Sequence, residues 1–424
     1  MHFGLIAPSF PSHVSAIEAI AEALVARGHR ATLVHRPDVR GFVGSPALGF
    51  APVGERTHPP GSLAAVIARA ARPGGPFGIR RVVADMVDAT DLLCREAPAV
   101  LSGLGVDAVV TDQMEAAGGL VAEHLGVPFV SVACALPVNR EPAVPLPVLS
   151  WPYDPSERGL ARNRGGEWVS GFLMKPHEDA VAAWAERLGV RPRRRLDEGL
   201  SPLADVVQLV RRFDFPRTRL PPHVHYVGPF RRPGDDHRDL PFESSGRPLV
   251  FCSLGTLQGG RARLLRTAAK AARSLGAEVL VAHCGLLSDR EAARIPADHV
   301  VAFAPQRAVI ARAAVIVTHG GLNTVMDALS FGVPMLVLPI AFDQPGMAAR
   351  VRHAGVGLVA DHRLLTASRT ARALHRLLSE DGFRSRARAF ADDVATAGGA
   401  ERAADIILQA VRTGSPVRAE PVPS

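Results

Sequence analysis

A histidine separates a predicted strand from a predicted helix in the segment HFGLIAPSFPSHVSAIEAIAEALVARGH, residues 2–29. The apolar run from His2 to Pro8 indicates the strand, and apolar residues at helical spacing before Gly28 indicate the helix. His13 therefore lies at the carboxyl end of a strand, the edge at which open α/β sheets bind ligands. An imidazole at that edge can act as a general base. It can equally help Ser12 to cap the helix, and the segment alone leaves both roles open.

A second polar group follows a buried strand in the other half of the chain. The strand Val315–Thr318 ends at His319-Gly320-Gly321, and a helix is predicted to begin near Asn323. Two glycines allow a ligand to approach the backbone closely, and the free amides at a helix start bind anions. His319 adds a hydrogen-bond donor at the same place. The pattern favours a phosphate site, although a tight turn would also explain the glycines.

Two further strand ends in this half carry polar side chains. The segment FCSLGT places Ser253, Gly255 and Thr256 after one strand, where they form another loop that can reach a phosphate. Asp343 and Gln344 follow a different strand and precede a helix. This pair could merely cap the helix. In the same crevice as an anion site, it is better suited to hydrogen-bond the hydroxyl groups of a sugar.

These residues depend on strands that alternate with helices, a pattern that predicts parallel sheets with crossover helices. A chain of 424 residues is too long for one ordinary core. The predicted fold class is α/β, with two successive doubly wound units that enclose a ligand in the cleft between them. A stretch rich in Pro, Gly and charge separates the two units. The predicted parts are a first domain 1–214, a linker 215–246, a second domain 247–395, a terminal helix 396–413 and a disordered tail 414–424.

Apolar runs bounded by turn residues predict the strands. Those predicted in the first half are His2–Pro8, Arg30–His35, Asp107–Thr111, Pro128–Ala133 and Val206–Val210. Those predicted in the second half are Leu249–Ser253, Glu278–Ala282, His299–Phe303, Val315–Thr318 and Met335–Leu338.

The composition, 47% hydrophobic and 21% charged, is that of a folded globular protein. The net charge of +8 is carried almost wholly by arginine, because Lys175 and Lys270 are the only lysines. A cationic chain favours anionic partners such as nucleotides or acidic lipid surfaces. Since the arginines are scattered and no zinc-finger or aromatic-basic RNA-binding pattern occurs, nucleic acid is not an expected partner.

The cysteines and the hydropathy pattern indicate the cellular compartment of the protein. Cys94, Cys134, Cys252 and Cys284 lie far apart in apolar surroundings, which indicates free thiols in a reducing compartment. No signal-peptide pattern occurs, and prolines interrupt the longest apolar stretch, Val127–Val138. We therefore expect a cytoplasmic protein.

The polar motifs of the second half resemble the donor signature of the nucleotide-sugar-dependent glycosyltransferases of GT-B fold, a superfamily that includes plant UDP-glucosyltransferases and bacterial macrolide glycosyltransferases. That signature runs from WAPQ through HCGWNS and an acidic residue to DQ. This chain has FAPQ, HGGLNT, Asp327 and DQ in the same order and at similar spacing. The resemblance extends over almost the whole chain. It implies two Rossmann-like domains that face a central cleft, with the terminal helix crossing back to the first domain.

The resemblance also implies how a donor would be held, with Gln306 near the ribose, His319 at the diphosphate and Asp343 at the sugar. The implied donor-binding residues are Ser253, Gly255, Thr256, Phe303, Ala304, Gln306, His319, Gly320, Gly321, Asn323, Thr324, Asp327, Asp343 and Gln344. Phe303 replaces the tryptophan that stacks on uracil, and Asp327 is one methylene shorter than the usual ribose-binding glutamate. UDP-glucose is the expected co-substrate, a dTDP-sugar is the alternative, and no bound cofactor is expected.

In this family a histidine after the first strand is the general base, and an aspartate after a later strand orients it. His13 and Asp112, the latter in DAVVTDQ, match these positions. The resemblance therefore implies that His13 removes the proton of an attacking hydroxyl group and that the anomeric centre is inverted. The chain contains no Asp-X-Asp motif, so no metal is implied.

The first half resembles one branch of the superfamily, the bacterial zeaxanthin glucosyltransferases, in PSFPSHVSA and in TDQMEAAGGLVAEHLGVPFVSVACALPVNREP. This resemblance implies a hydroxylated carotenoid as acceptor and a β-glucoside or diglucoside as product. Because such an acceptor resides in membrane, a peripheral, arginine-mediated contact with acidic lipid at the inner membrane face fits the positive charge, although scattered arginines are equally typical of a solvated surface. The predicted acceptor-binding residues are Ser12, Leu136, Pro137, Asn139 and Pro145. All but Ser12 lie in the proline-rich segment Phe129–Tyr153, which could instead pack against the domain core.

Three other functions stay open at the level of the sequence. The acceptor could be a macrolide, another polyketide or a sterol. The chain could be a non-catalytic auxiliary protein that binds a sugar nucleotide or a partner enzyme. It could also be a sugar-nucleotide epimerase of the same fold. The sequence leaves the oligomeric state open.

Overall fold

A computed structural model of the chain describes residues 1–232, 240, 242–243 and 245–419. Within these residues the first domain contains a sheet of seven parallel strands. The strands are β1 (His2–Ile6), β2 (Arg30–His35), β3 (Gly49–Pro52), β4 (Ala108–Asp112), β5 (Phe129–Ala133), β6 (Asp205–Val207) and β7 (Val224–Tyr226). The helices are α1 (Pro11–Ala26), α2 (Ser62–Ala70), α3 (Gly75–Leu104), α4 (Ala117–Leu125) and α5 (Glu157–Arg187), with short 3-10 turns at Pro37–Phe42, Leu196–Gly199 and Arg211–Phe213.

The second domain contains six parallel strands within the described residues. They are β8 (Leu249–Ser253), β9 (Glu278–Ala282), β10 (His299–Val301), β11 (Val315–Thr318), β12 (Met335–Val337) and β13 (Gly357–Val359). The helices that follow β8 are α6 (Gly255–Gln258), α7 (Ala262–Arg273), α8 (Asp289–Ala292), α9 (Gln306–Arg312), α10 (Leu322–Ser330), α11 (Gln344–Ala354), α12 (Ala367–Ser379), α13 (Asp381–Thr396) and α14 (Gly399–Thr413).

Apolar side chains cover both faces of each sheet, as parallel sheets require. In the first domain one hydrophobic cluster lies under α1 and α14, and another lies under α3, α4 and α5. The second domain also has two clusters, one on each side of its sheet. The prediction of two doubly wound α/β domains is confirmed.

The strand order places the switch point of each sheet at the residues singled out from the sequence. In the first sheet, order β3-β2-β1-β4-β5-β6-β7, the order reverses between β1 and β4. In the second sheet, order β10-β9-β8-β11-β12-β13, it reverses between β8 and β11. Ligands of open α/β sheets bind at the carboxyl ends of such neighbouring strands. In the first sheet, His13 follows β1 and Asp112 ends β4. In the second sheet, Ser253 ends β8 and His319 follows β11.

Six of the ten predicted strands have ends that differ from the structure by one to three residues, and two predicted parts of the chain, the linker and the tail, also differ. The first sheet extends into the predicted linker 215–246, because β7 pairs in parallel with β6. The positions 233–239, 241 and 244 of that linker lie outside the described residues. The prediction of a disordered tail is wrong for 414–419: Val417 N–H donates to the Leu203 carbonyl oxygen at 2.8 Å, and Val417 is buried. Backbone hydrogen bonds and one buried side chain hold this segment despite its polar, proline-containing composition; residues 420–424 lie outside the described residues.

The last helix returns to the first domain. Apolar residues of α14 join the hydrophobic cluster of α1. At the edge of this contact, the Arg27 guanidinium donates to Glu401 and to Asp405, at 2.6 and 2.8 Å. The helix α14 therefore ties the end of the second domain to α1, whose first turn contains His13. None of the described helices combines the length and the apolar character needed to span a membrane.

Candidate active site in the cleft between the domains

Two neighbouring strands bring His13 and Asp112 together, although they are 99 positions apart in the chain. Nδ1 of His13 lies 2.6 Å from Oδ2 of Asp112, whose side chain is fully buried. The second carboxylate oxygen of Asp112 accepts the Met114 N–H at 2.9 Å. Since a carboxylate only accepts, Nδ1 of His13 carries the proton in this hydrogen bond. Nε2 is then the nitrogen that can take a proton from a substrate.

The charges around His13 favour its protonated form. Burial lowers the pKa of His13, but the carboxylates of Asp112 and Asp343 raise it above its ordinary value. Asp343 belongs to the second domain, and burial raises its own pKa while the Leu136 N–H lowers it. That N–H, from the first domain, donates to Oδ2 of Asp343 at 3.3 Å. The site therefore pairs a basic imidazole with carboxylates from both sides of the cleft.

His319 lies between two glycines that its ring requires. A Cβ on Gly255 would lie 2.6 Å from Cε1 of His319, and a Cβ on Gly321 would lie 2.6 Å from Nε2. Burial lowers the pKa of His319 to about 4, so the ring is neutral at physiological pH. A neutral imidazole can still donate one N–H to an anion.

The amides at the start of α10 lie beside this ring. Gly321 is the residue before α10, and the first N–H groups of a helix have no partner within it. Gly320 has φ +88°, and a Cβ there would lie 2.7 Å from Val337. A histidine donor, a close backbone approach and free helix amides together can bind an anionic group.

The other predicted phosphate residues surround the same point. Ser253 is buried, and its hydroxyl oxygen accepts the Gly255 N–H at 3.4 Å, while Thr256 is exposed. The Asn323 side-chain amide reaches across the cleft and donates to the Ser12 carbonyl oxygen at 3.4 Å. The start of α10 thus contacts the residue next to His13.

A cavity of about 250 Å³ opens beside the start of α10, between the two domains. Its lining residues come from α1, from the end of the first domain, from the FAPQ loop and from α10: Ser15, Ala19, Phe230, Arg231, Arg232, Ala304, Pro305, Gln306, Arg307, Asn323 and Asp327. At its floor the Gln306 amide donates to Oδ2 of Asp327 at 2.7 Å, and Thr324 donates to Oε1 of Gln306 at 3.4 Å. The ring of Phe303 is 71% exposed, as a base-stacking surface needs to be and a core residue does not.

Sequence reasoning missed two arginines in this cavity. Arg231 Nε and Arg307 Nη1 donate to Oδ1 of Asp327, at 2.7 and 3.0 Å. Arg231 also donates to the backbone carbonyl oxygen of Asn323 at 2.8 Å. Arg231 lies in the predicted linker, where the only signal was the pair of arginines in GPFRRPG. Arg307 directly follows the FAPQ motif.

The structure gives Gln344 a local role that its sequence position did not reveal. Its side chain is 4% exposed, and Oε1 accepts the backbone N–H groups of Ile340 and Ala341, each at 2.9 Å. Phe342, in the same turn, has φ +55°, a left-handed conformation that is unfavourable for a bulky residue. The side chain of Gln344 therefore stabilises a strained turn. Asp343 is the residue of this turn whose carboxylate faces the cleft.

The predicted acceptor residues are not brought together on one open surface. Leu136 is 1% exposed and packs against Gly346 of the second domain, and Pro137 and Pro145 are also buried. The Asn139 carbonyl oxygen accepts from Arg217 at 2.7 Å. Ser12 alone is exposed.

The proline-rich segment instead bridges the domains. The Pro147 carbonyl oxygen accepts the Gly346 N–H at 3.0 Å, and Val144 packs with Phe215 and Ala349. Apolar and proline side chains need few hydrogen-bond partners, so they can fill such an interface. In the described part of the chain, no three His, Cys, Asp or Glu side chains cluster closely enough to hold a metal ion.

The chain is similar to known proteins both in sequence and in fold. Residues 266–408 match the family described as "Erythromycin biosynthesis protein CIII-like, C-terminal domain". The chain is 44% identical to the zeaxanthin glucosyltransferase of Pantoea ananas, over 98% of this chain and 97% of that protein. It is 41% identical to the zeaxanthin glucosyltransferase of Pseudescherichia vulneris, over 97% of this chain and 98% of that one. The crystal structure of the glycotransferase of kitacinnamycin shares the fold, with a TM-score of 0.75 at 22% identity, and covers 97% of this chain and 98% of its own.

Proposed function

This chain belongs to the GT-B glycosyltransferase family, and from that membership we propose that it transfers glucose from UDP-glucose to a hydroxyl group of a hydroxylated carotenoid. The observation that carries the proposal is the 2.6 Å contact between His13 and Asp112 at the mouth of the donor cleft. A binding protein without catalysis has no need of a buried carboxylate that orients an imidazole in a cleft. The dyad therefore favours an enzyme over a non-catalytic auxiliary protein.

The proposed reaction is a single displacement. Nε2 of His13 takes the proton of the acceptor hydroxyl group, and the oxygen forms a bond to the anomeric carbon. The bond between that carbon and the diphosphate oxygen breaks, and UDP leaves with the electron pair. Attack opposite to the leaving group converts the α-linked donor into a β-glucoside.

Charge moves during this reaction from the acceptor oxygen to the diphosphate. Asp112 stabilises the imidazolium that forms at His13. The His319 N–H and the first amides of α10 stabilise the negative charge on the leaving diphosphate. We propose that these groups act without a metal ion.

The donor assignment rests on the cavity at α10. Phe303 offers a face for the base, and Gln306 and Asp327 offer hydrogen-bonding groups for the ribose. We propose UDP-glucose as the donor, with a dTDP-sugar as the alternative nucleotide. We place Asp343 at the hydroxyl groups of the glucose, because its carboxylate faces the cleft near His13.

A competition between UDP-glucose and UDP-galactose tests the sugar assignment. A misplaced hydroxyl group leaves buried polar groups unpaired, so glucose should be favoured. The Asp343→Asn variant should discriminate less than the wild type. Equal use of both sugars by the wild type would contradict the assignment.

The acceptor assignment rests on the two relatives at 44% and 41% identity, whose names specify zeaxanthin. The purified protein should convert detergent-solubilised zeaxanthin and UDP-glucose into a glucoside that mass spectrometry identifies by the added hexose. The His13→Ala protein is the matched control. Transfer to a macrolide or sterol aglycone and not to zeaxanthin would replace the acceptor, while hydrolysis or epimerisation of the donor alone would refute glucosyl transfer.

The proposal includes a cytoplasmic location with peripheral contact to the membrane. Cys94, Cys134, Cys252 and Cys284 are free thiols, and the first three are buried, as expected in a reducing compartment. The acceptor itself is apolar and resides in lipid.

A further inference from the structure

Two long helices of the first domain expose large apolar side chains. Phe77 on α3 is 76% exposed, and Trp168 and Phe172 on α5 are 77% and 74% exposed. Ile79 and Val169 are exposed beside them in the sequence. We name these five residues the α3–α5 tip. Single exposed apolar residues are ordinary, but a group that includes three aromatic rings marks an interaction surface.

The helices α3 and α5 are much longer than the strands that they connect. With 30 and 31 residues they extend about 45 Å, whereas five-residue strands such as β4 extend about 17 Å. The last residue of α3 lies at the amino end of β1, because the Leu104 carbonyl oxygen is 3.1 Å from Nδ1 of His2. The beginning of α3 must therefore project beyond the carboxyl edge of the sheet, the side on which His13 lies.

The helix α5 runs beside α3 in the same direction. Nε2 of His177 lies 3.3 Å from the Thr90 hydroxyl, and Trp184 donates its indole N–H to Asp91. Trp168 precedes His177 by nine positions, and Phe77 precedes Thr90 by thirteen. At about 1.5 Å per residue, both aromatic residues lie about 13–20 Å towards the helix starts from this contact. The exposed residues of the two helices therefore lie at the same end of the domain.

Exposed arginines lie among the apolar side chains of the α3–α5 tip. Five arginines lie in residues 75–84 and 157–174, namely Arg80, Arg81, Arg158, Arg162 and Arg164, with the carboxylates Glu157 and Glu167 among them. Lys175, which follows, is paired with Asp179 at 2.8 Å. Arg80, Arg81, Arg158 and Arg164 are exposed. Aromatic side chains with surrounding arginines match the interface of a bilayer that contains anionic lipid.

We propose that the α3–α5 tip is a docking surface for an anionic phospholipid bilayer. The rings of Phe77, Trp168 and Phe172 insert among the lipid headgroups, and the exposed arginines contact the phosphates. The tip projects from the sheet edge that carries His13, so docking holds the acceptor side of the cleft towards the membrane. This inference rests on the proposed function to the extent that a carotenoid acceptor is dissolved in lipid.

Vesicle binding tests the docking surface without nucleotide or acceptor. The wild type should float with vesicles of phosphatidylglycerol and phosphatidylcholine in equal parts and bind pure phosphatidylcholine less well. The double variant Trp168→Ser, Phe172→Ser should bind the anionic vesicles at least about tenfold more weakly, because two aromatic side chains no longer leave water. The matched control is Leu364→Ser, which removes a side chain that is 62% exposed on the second domain and should leave binding unchanged.

Fluorescence provides a second readout that does not depend on the double variant folding well. Vesicles that contain brominated lipid should quench the tryptophan emission of the wild type. Trp168→Phe should keep vesicle binding and lose most of this quenching, since Trp151 and Trp184 are only partly exposed. Quenching that persists in Trp168→Phe would refute insertion of the tip.

The remaining outcomes distinguish docking to lipid from pairing between two copies of the chain. Equal vesicle binding by the wild type and the double variant would overturn the proposal. A wild type that self-associates in sedimentation, with loss of association in the double variant and no vesicle binding, would assign the surface to a second copy and also overturn it. The double variant should retain turnover of detergent-solubilised zeaxanthin. Failed vesicle binding with intact turnover would thus refute the docking surface alone, whereas no turnover by the wild type would refute the proposed function.

Discussion

Arg350 of the second domain and Asp214 of the first form a buried ion pair across the domain interface. Nε of Arg350 donates to Oδ1 of Asp214 at 2.7 Å, and both side chains are 1% exposed. Oδ2 of Asp214 accepts from Arg217 and Tyr226. Burial raises the pKa of Asp214, but Arg350 and Arg217 hold it well below its usual range. Since Arg350 lies on α11, this pair fixes the helix that begins directly after Asp343 against the domain that carries His13.

Removal of the buried cation should destabilise the protein. Arg350→Met leaves the carboxylate of Asp214 buried with fewer partners, and the expected loss is about 3 kcal/mol in the free energy of unfolding, measured by urea denaturation. The matched control is Arg376→Met, which breaks an exposed pair with Glu380. That change should cost less than about 1 kcal/mol. Equal losses in the two variants would show that the interface pair contributes no more than a surface pair.

His13→Ala should abolish most glucosyl transfer and leave UDP binding nearly intact. The imidazole belongs to the acceptor side of the cleft, whereas the proposed nucleotide contacts come from the second domain. A lost general base lowers turnover by about 10²-fold or more. Turnover with zeaxanthin and UDP affinity by calorimetry should be measured on the same preparation, with the exposed His375→Ala as control. Near-normal turnover, or a parallel loss of UDP affinity, would make His13 a structural residue.

Asp112→Asn should shift the pH dependence of the reaction. Burial lowers the pKa of His13, and Asp112 and Asp343 raise it above 6.5. Only the neutral imidazole can accept a proton, so kcat/KM of the wild type should fall as the pH decreases through this raised pKa. Without the charge of Asp112 the pKa decreases, and the acid limb should move to lower pH while the maximal rate also falls.

The control for this shift is Asp107→Asn, an exposed carboxylate just before the other end of β4. It should leave the pH profile unchanged. A profile of Asp112→Asn that coincides with the wild type would refute the electrostatic role of Asp112.

Gly321→Ala should weaken donor binding without unfolding the protein. The backbone at Gly321 has φ −62°, which alanine adopts easily, but the new Cβ would lie 2.6 Å from Nε2 of His319. The ring must move, and if it contacts the donor diphosphate as proposed, the KM for UDP-glucose should increase about tenfold or more, the scale of one lost hydrogen bond to a charged group. Gly103→Ala is the control, because its added Cβ would meet no group from outside its own helix within 4 Å. An unchanged KM in Gly321→Ala would show that His319 does not contact the donor.

The sequence by itself determined the central strands of both sheets. The predicted strands Arg30–His35, Leu249–Ser253, Glu278–Ala282 and Val315–Thr318 agree with the structure at both ends. Each is an apolar run between turn signals, and a central parallel strand is buried on both faces, so hydrophobicity alone marks its length. The motifs at their carboxyl ends then identify the cleft, because neighbouring parallel strands end at the same edge.

Three of the four edge strands, β3, β7 and β13, were not predicted, whereas β10 lies within the predicted strand His299–Phe303. β7 and β13 have three residues each, too few for a recognisable run, and they form because β6 and β12 offer partners for their backbone hydrogen bonds. The prolines and charges around β7 are typical of a linker. Local composition cannot report a hydrogen bond to a strand elsewhere in the chain.

The partners of the polar side chains were decided only by the tertiary structure. The motif identified Asp327, but it did not predict that Arg231 and Arg307 donate to its carboxylate. The motif also identified Gln344, but it did not predict that loop amides donate to the side-chain oxygen of this residue. Leu136 was predicted to bind the acceptor, but the sequence did not predict that its side chain packs in the interface between the domains. A residue's type limits which interactions it can make. Which interaction it makes depends on the groups that folding brings within about 3 Å, and these lie far away in the chain.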